Sequence, residues 1–310
     1  MAGDDGFRLP VKPLTPVQRR LIEPLDQDDQ ALSFQYVVLC HVGLPYRDPG
    51  DGVREWKRTQ GAASLLVEAG QARHPLRDEW VKVGLPWGSK PRLILAHLNA
   101  EALRQGSPEI EVETSLTAFV RRIRGFRHGR ETRAFKEQLT RLSNATVRLA
   151  LNRGHDAFQI NTQIIGAFHL WPEKDERQRV LWPSTIRLSL DYFASLQKNA
   201  VPLNEADLGA LAHSAMALDV YAWLAHRLYR IDPHKPAFIS WAALKDQFGP
   251  DYGRMRAFKA FFRTTLRAVL IRYQHARIEL DDQGMTAHCS PPPVRSRFGF
   301  IRGAKALPPL

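Results

Sequence analysis

Between Gly253 and Arg277 the chain carries seven basic residues, Arg254, Arg256, Lys259, Arg263, Arg267, Arg272 and Arg277, and no acid. At ~100° per residue on a helix, Arg256, Lys259, Arg263 and Arg267 fall within an arc of roughly 80°. A neighbouring arc of similar width holds Met255, Phe258, Phe262, Leu266, Val269 and Tyr273. One stripe can enter a core while the other meets a polyanion. A helix that faces only water usually mixes signs, because opposite charges at i,i+4 stabilise it and like charges repel. Phosphate would relieve that repulsion, so the chemistry of this stripe is DNA binding. A merely solvated basic face is the competing reading.

A second basic stretch, Phe119 to Arg153, holds ten Arg and Lys residues against two acids, Glu131 and Glu137. Phe135, Leu139 and Leu142 form its apolar stripe. Arg130, Arg133, Thr140, Arg141 and Asn144 lie opposite, with Lys136 beside them. Arg and Asn are the side chains that read guanine and adenine edges bidentately in the major groove. Glu137 sits amid that face, where it can pair with Arg133 or Arg141 or accept from cytosine.

Both stretches need the same scaffold: a helix held by two others and followed by a hairpin. Pro91 suits a first helical turn, and Leu93, Leu95, Leu98, Ala102 and Leu103 mark a helix over about 91–105. Thr114 or Ser115 can cap a second helix carrying Leu116, Phe119, Val120 and Ile123. A third helix is expected over about 130–143, then strands at Thr146 to Leu151 and Ala157 to Ile164, with Asn152 and Gly154 in the turn. The order repeats later. Asn204 caps a long helix running to about Arg230, with Asp207 placed as in a capping box. Pro233 and Pro236 break the chain, a short helix spans about 240–247, and the basic helix about 254–273. Strands at Ala276 to Leu280 and Met285 to His288 close the copy. Short strands are also expected at Ala62 to Val67 and Trp80 to Val83.

Three helices followed by a hairpin is the winged-helix order, in which the third helix enters the major groove and the wing grips the backbone. The expected fold class is therefore α+β, mainly helical, with two tandem winged-helix domains. The divisions are a flexible arm at 1–36, a first domain at 37–165, a connecting segment at 166–199, a second domain at 200–289 and a Pro-rich tail at 290–310. Asn152 and Arg153 on the first wing and Arg277 beside the second are expected backbone contacts.

The remaining composition narrows the function. The net charge of +12 over 310 residues creates a field that attracts nucleic acid or an anionic surface. Cys40 and Cys289 cannot build a disulfide framework or a Cys-rich zinc module, and a reducing cytoplasm is the simple compartment. Met1 to Pro16 has no apolar core of a signal peptide, and no apolar run reaches the ~18 residues of a membrane span. The eleven histidines include no His-apolar-His pair of a metal-dependent nickase. GLPWGSKP lacks the spacing of a phosphate loop, and the scattered His, Ser and Asp residues form no pattern of a triad. Trp223, His226 and Tyr229 read as core and interdomain contacts rather than a stacking platform for bases. No catalytic residue, metal or cofactor is expected.

Two blocks carry a family resemblance. GLPWGSKPRLILAHLNAEALRQGSPEIEVETSLTAFVRRI and ALDVYAWLAHRLYRI (residues 217–231) resemble RepA-type plasmid replication initiators, and FKAFFRTTLRAVL is similar in kind. The resemblance spans roughly residues 37–288. It implies tandem winged helices, binding to repeated double-stranded sites at a plasmid origin, origin opening, and recruitment of the host initiator and replicative helicase, with a homodimer as a further partner. It supplies no catalytic residue. Two rivals remain: a winged-helix transcriptional repressor without origin-melting activity, and a nuclease.

Overall fold

A computed structural model describes residues 31–73, 78–112, 118, 120–121, 129–153, 156–171 and 182–294. It is a mixed α/β protein in which helices pack between several small antiparallel sheets. At the centre lies α6 (Ala215–Arg227), buried from Ala215 to His226. The preceding helices are α1 (Val37–His41), α2 (Ser89–Gln105), α3 (Gly129–Asn144), α4 (Leu190–Asn199) and α5 (Glu205–Leu211). A helix that is apolar all round belongs inside a core, and α6 packs against α1, α2 and α8 (Met255–Arg272).

The long helix expected from Asn204 to Arg230 is two helices. Asn204 does cap α5, accepting from the Asp207 amide at 3.2 Å. The capping-box partner is used differently: the Asp207 carboxylate receives the Tyr221 hydroxyl and the Arg272 guanidinium, each at 2.8 Å. The chain then turns at Ser214, whose backbone is extended and whose hydroxyl accepts from the Ala217 amide. That local hydrogen bond satisfies an amide at the start of α6.

One arrangement occurs twice. In the second occurrence, α6 is followed by β12 (Ala237–Ser240), α7 (Trp241–Phe248), α8, β13 (Ile278–Leu280) and β14 (Gly284–Ala287). The strand order is β12-β14-β13, all antiparallel. In the first, α2 is followed by β6 (Glu109–Glu111), α3, β9 (Ile165–Trp171) and β10 (Trp182–Leu188). Their order is β6-β10-β9, again antiparallel. In both, the last strand lies between the other two. The helix expected between β6 and α3 falls mostly outside the described residues, though Val112, Ala118, Val120 and Arg121 are helical.

This match moves the first hairpin. The strands expected to close the first unit are present as β7 (Thr146–Arg153) and β8 (Asp156–Thr162). They do not stand alone. Strand β7 also pairs with β3 (Ala63–Glu68), which pairs with β2 (Glu55–Gln60), giving a four-stranded sheet β2-β3-β7-β8. The strands equivalent to β13 and β14 lie in 166–199, the stretch assigned to a connector, which also contains α4. The strand expected near Trp80 is β5 (Trp80–Lys82), paired with β4 (Gln71–Arg73) in an exposed ribbon.

The last residues of the stretch expected to be an arm are structured. Residues Leu32–Tyr36 form β1, which pairs along its length with β11 (Ala200–Asn204). A single buried cluster runs from Tyr36 through Leu93, Phe135 and Val220 to Phe262 and Ala287. Its most guarded polar contact joins α2 to α6. Arg92 donates to both Asp219 oxygens, at 2.6 and 2.8 Å, and to the carbonyls of Gly88 (2.6 Å) and Leu44 (2.7 Å). Burial opposes the charge of Arg92, but the Asp219 carboxylate holds the guanidinium above its ordinary range. Gly43 fits there because a Cβ would run into the Asp219 carboxylate.

Candidate nucleic-acid interface

Helix α8 begins after Arg254 and is held by its apolar arc. Phe258, Phe262, Leu266 and Val269 are buried, and Tyr273 follows them into the core. The Trp241 ring at the start of α7 meets Phe258 and Phe262 edge-on, with centroids 6.4 and 6.0 Å apart. This aromatic packing fixes which way the rest of the helix faces.

The four residues expected to share one basic stripe divide into two pairs. Lys259 and Arg263 lie over the Trp241 ring, at 5.1 and 5.3 Å from its centroid. Lys259 also donates to the Asp282 carbonyl at 3.0 Å, and Arg263 approaches the Asp282 carboxylate at 3.8 Å. Both hold the β13–β14 turn against the helix. Arg256 and Arg267 lie further round. With Arg254, they have no ion-pair or hydrogen-bond partner among the described residues. Arg272 is bound to Asp207, and Arg277 donates to the Cys289 carbonyl.

The turn itself is acidic. Asp281 accepts from the amides of Gln283 and Gly284, closing the turn, and Asp282 is almost fully exposed. A turn of this charge repels phosphate. Around the outer face of α8, sequence reasoning missed Ala257, Ala260, Phe261 and Thr264, all exposed. Their signal was their angle, outside the apolar arc, rather than their chemistry.

The first helix is arranged differently. Phe135, Leu139 and Leu142 are buried as expected. Arg141 is nearly buried. It pairs with Glu137 at 2.8 Å, lies 3.7 and 3.9 Å from Asp48 and Asp51, and donates to the Leu85 carbonyl. Asn144 donates back to the Thr140 carbonyl at the helix end. There a Cβ on Gly70 would collide with the Asn144 carbonyl oxygen. Arg133 is exposed and Lys136 half-buried. Arg130 lies within α3 and Arg153 ends β7, but their side chains are outside the described residues.

Among the described residues no cluster of three His, Cys, Asp or Glu side chains is placed to hold a metal, and no helix is long and apolar enough to cross a membrane. Cys40 is buried, and burial pushes its thiol well above the ordinary range, so it is held as the inert neutral form.

The model of the family described as plasmid-encoded RepA protein matches residues 85–243. The match takes in the first block from Leu85 onward and all of the second, and stops short of α8. A crystal structure of domains 2 and 3 of RctB, as the selenomethionine derivative, superposes with a TM-score of 0.50 at 8% identity. It covers 82% of this chain and 96% of that one. A second crystal structure of RctB domains 2–3 gives a TM-score of 0.48 at 8% identity, covering 80% and 94%. At such identity the likeness concerns the fold alone. No curated protein sequence matches the chain.

Proposed function

Because this chain belongs to the plasmid-encoded RepA family of replication initiators, we propose that it binds repeated double-stranded sites at a plasmid origin through two winged-helix units, with α8 in the major groove. Binding positions the protein on the origin, opens the adjacent duplex and presents the host initiator and replicative helicase with a loading site. No covalent step is involved, and the chain needs no cofactor. The observation that carries this reading is the face of α8, where Arg254, Arg256 and Arg267 have no acid to meet them among the described residues. Unneutralised cations on a helix packed by its opposite side fit phosphates flanking a groove. The repeated strand order of the two units supports a tandem reader.

Two such helices on one face of B-DNA are spaced by about one helical turn, ~34–36 Å, or a multiple. One chain then covers about 20 base pairs, and unlike units favour direct rather than inverted repeats. Footprinting on the DNA flanking the gene tests this, joined to permanganate probing of neighbouring A·T-rich DNA. Direct-repeat protection with strand opening is the expected result. Palindromic protection without opening would leave a repressor, and nicking of supercoiled DNA with Mg²⁺ would indicate a nuclease.

A further inference from the structure

The outer face of α8 holds an apolar feature that phosphate contact does not use. Phe261 is 44% exposed on a helix whose other aromatic residues, Phe258 and Phe262, are fully buried. Its ring is not loose. It lies against Tyr252, with centroids 5.8 Å apart, and Tyr252 lies against Phe258 at 5.8 Å. An exposed ring is thus pinned to the core through a second ring, which holds it in one direction.

Its neighbours on that face offer almost nothing to a hydrogen-bonding partner. Ala257 and Ala260 have no polar side-chain atom. The Thr264 hydroxyl is turned back onto the Ala260 carbonyl at 3.1 Å, leaving the methyl as its unengaged group. Bordering this surface are Arg254, Arg256 and Arg267, which have no partners among the described residues. A protein surface suited to Phe261 would also need acids for three arginines. DNA supplies the anions at the border, and within the major groove it supplies one apolar group, the 5-methyl of thymine. Apolar contact from Ala, Thr or Phe is how that methyl is read.

We propose that Phe261 is a specificity-determining residue that reads thymine 5-methyl groups, with Ala257, Ala260 and Thr264 admitting them. The half-site under α8 therefore carries adjacent thymines on one strand. This rests on the DNA-binding reading above, and it specifies which bases that helix prefers.

The test begins with the full-length protein and a binding site selected from a randomised duplex library. Each thymine is then replaced by deoxyuridine, which preserves base pairing and removes the methyl. At two or more positions affinity falls about fourfold, the factor for exposing one buried methyl at about 0.8 kcal/mol. In Phe261→Ala at least one of those penalties disappears, while affinity for the deoxyuridine duplex is unchanged and the urea midpoint confirms folding. Undiminished binding to every deoxyuridine duplex overturns the proposal but leaves DNA binding standing. Penalties that persist unchanged in Phe261→Ala also overturn it and assign the ring to a protein contact. Failure to select any duplex removes the DNA-binding reading itself.

Discussion

The two units share a strand order and differ in what their third helices do with charge. On α3, Arg141 is consumed by Glu137, Asp48, Asp51 and a carbonyl, and Glu137 sits on the outer face. On α8 the acids come from elsewhere. The β13–β14 turn takes Lys259 and Arg263, α5 takes Arg272, and three arginines are left over. The charge of a segment is therefore not the charge of a face. By sequence the first stretch holds more cations than the second. In the fold, among the described residues, Arg141 of the first is spent on acids, while Arg254, Arg256 and Arg267 of the second have no such partner.

The comparison presumes that the units are locked to one another, and the Arg92–Asp219 pair is the sharpest test of that. Asp219→Ala leaves a buried guanidinium without its counter-ion, a change that typically costs about 3–5 kcal/mol. Urea denaturation followed at separate tryptophans should shift to lower midpoint as one transition. Two separated transitions would show that the units unfold independently.

The next test bears on the helices. Arg256→Ala with Arg267→Ala should weaken duplex binding by about 1–3 kcal/mol for a residue that reads a base, and lower the salt slope by about one for each that meets phosphate. Arg133→Ala with Lys136→Ala should do less on both counts. Fluorescence anisotropy between 50 and 200 mM salt measures the two pairs side by side, and a larger effect from the first helix would reverse the comparison.

Arg141→Ala should lower stability by about 1.5–3 kcal/mol, the range for a hydrogen-bonded charge, while the folded fraction binds DNA as before. A loss of affinity without a loss of stability would return Arg141 to the interface. The smallest effect runs the other way. Asp282→Ala removes a negative charge beside α8 and releases Arg263, so duplex binding should tighten a few-fold at low salt and converge with wild type at high salt. Weaker binding would mean that the turn is needed to position the helix.

Much of the second unit was legible in the sequence. The apolar arc of α8 is buried from Phe258 to Tyr273 with Met255 partly covered, Asn204 caps α5, and the strands beyond Tyr273 lie where the turn residues Asp281 to Gly284 put them. The basic stripe was legible only in part. Lys259 sits immediately beside the apolar arc, so it meets neighbouring elements, while Arg256 and Arg267 lie far enough round to clear them. Measuring angles from the buried arc, rather than among the cations, separates the two. The closing strands of the first unit were hidden by a different cause. Ten residues separate β9 from β10, too many for the tight turn that marks a hairpin, and Pro183 lies within β10, which argues locally against a strand. The hairpin that did carry turn chemistry, β7–β8, is a local structure of the expected kind whose partners, β3 and β2, lie some 80 residues earlier. No local pattern announces such a pairing.

The ion pair between α2 and α6 has a consequence for how the chain is made. Its partners are 127 residues apart. At ~5–20 residues per second of synthesis, Arg92 waits roughly 6–25 s before Asp219 exists. Strand β1 waits longer, since its partners in β11 lie 164 residues on from Tyr36 (Ala200) and 172 residues on from Leu32 (Asn204). During that interval α2 and β1 can pack on each other, but the parts of them that meet α6 and β11 lack their native cover. The native core therefore closes only when both sequence blocks have been translated.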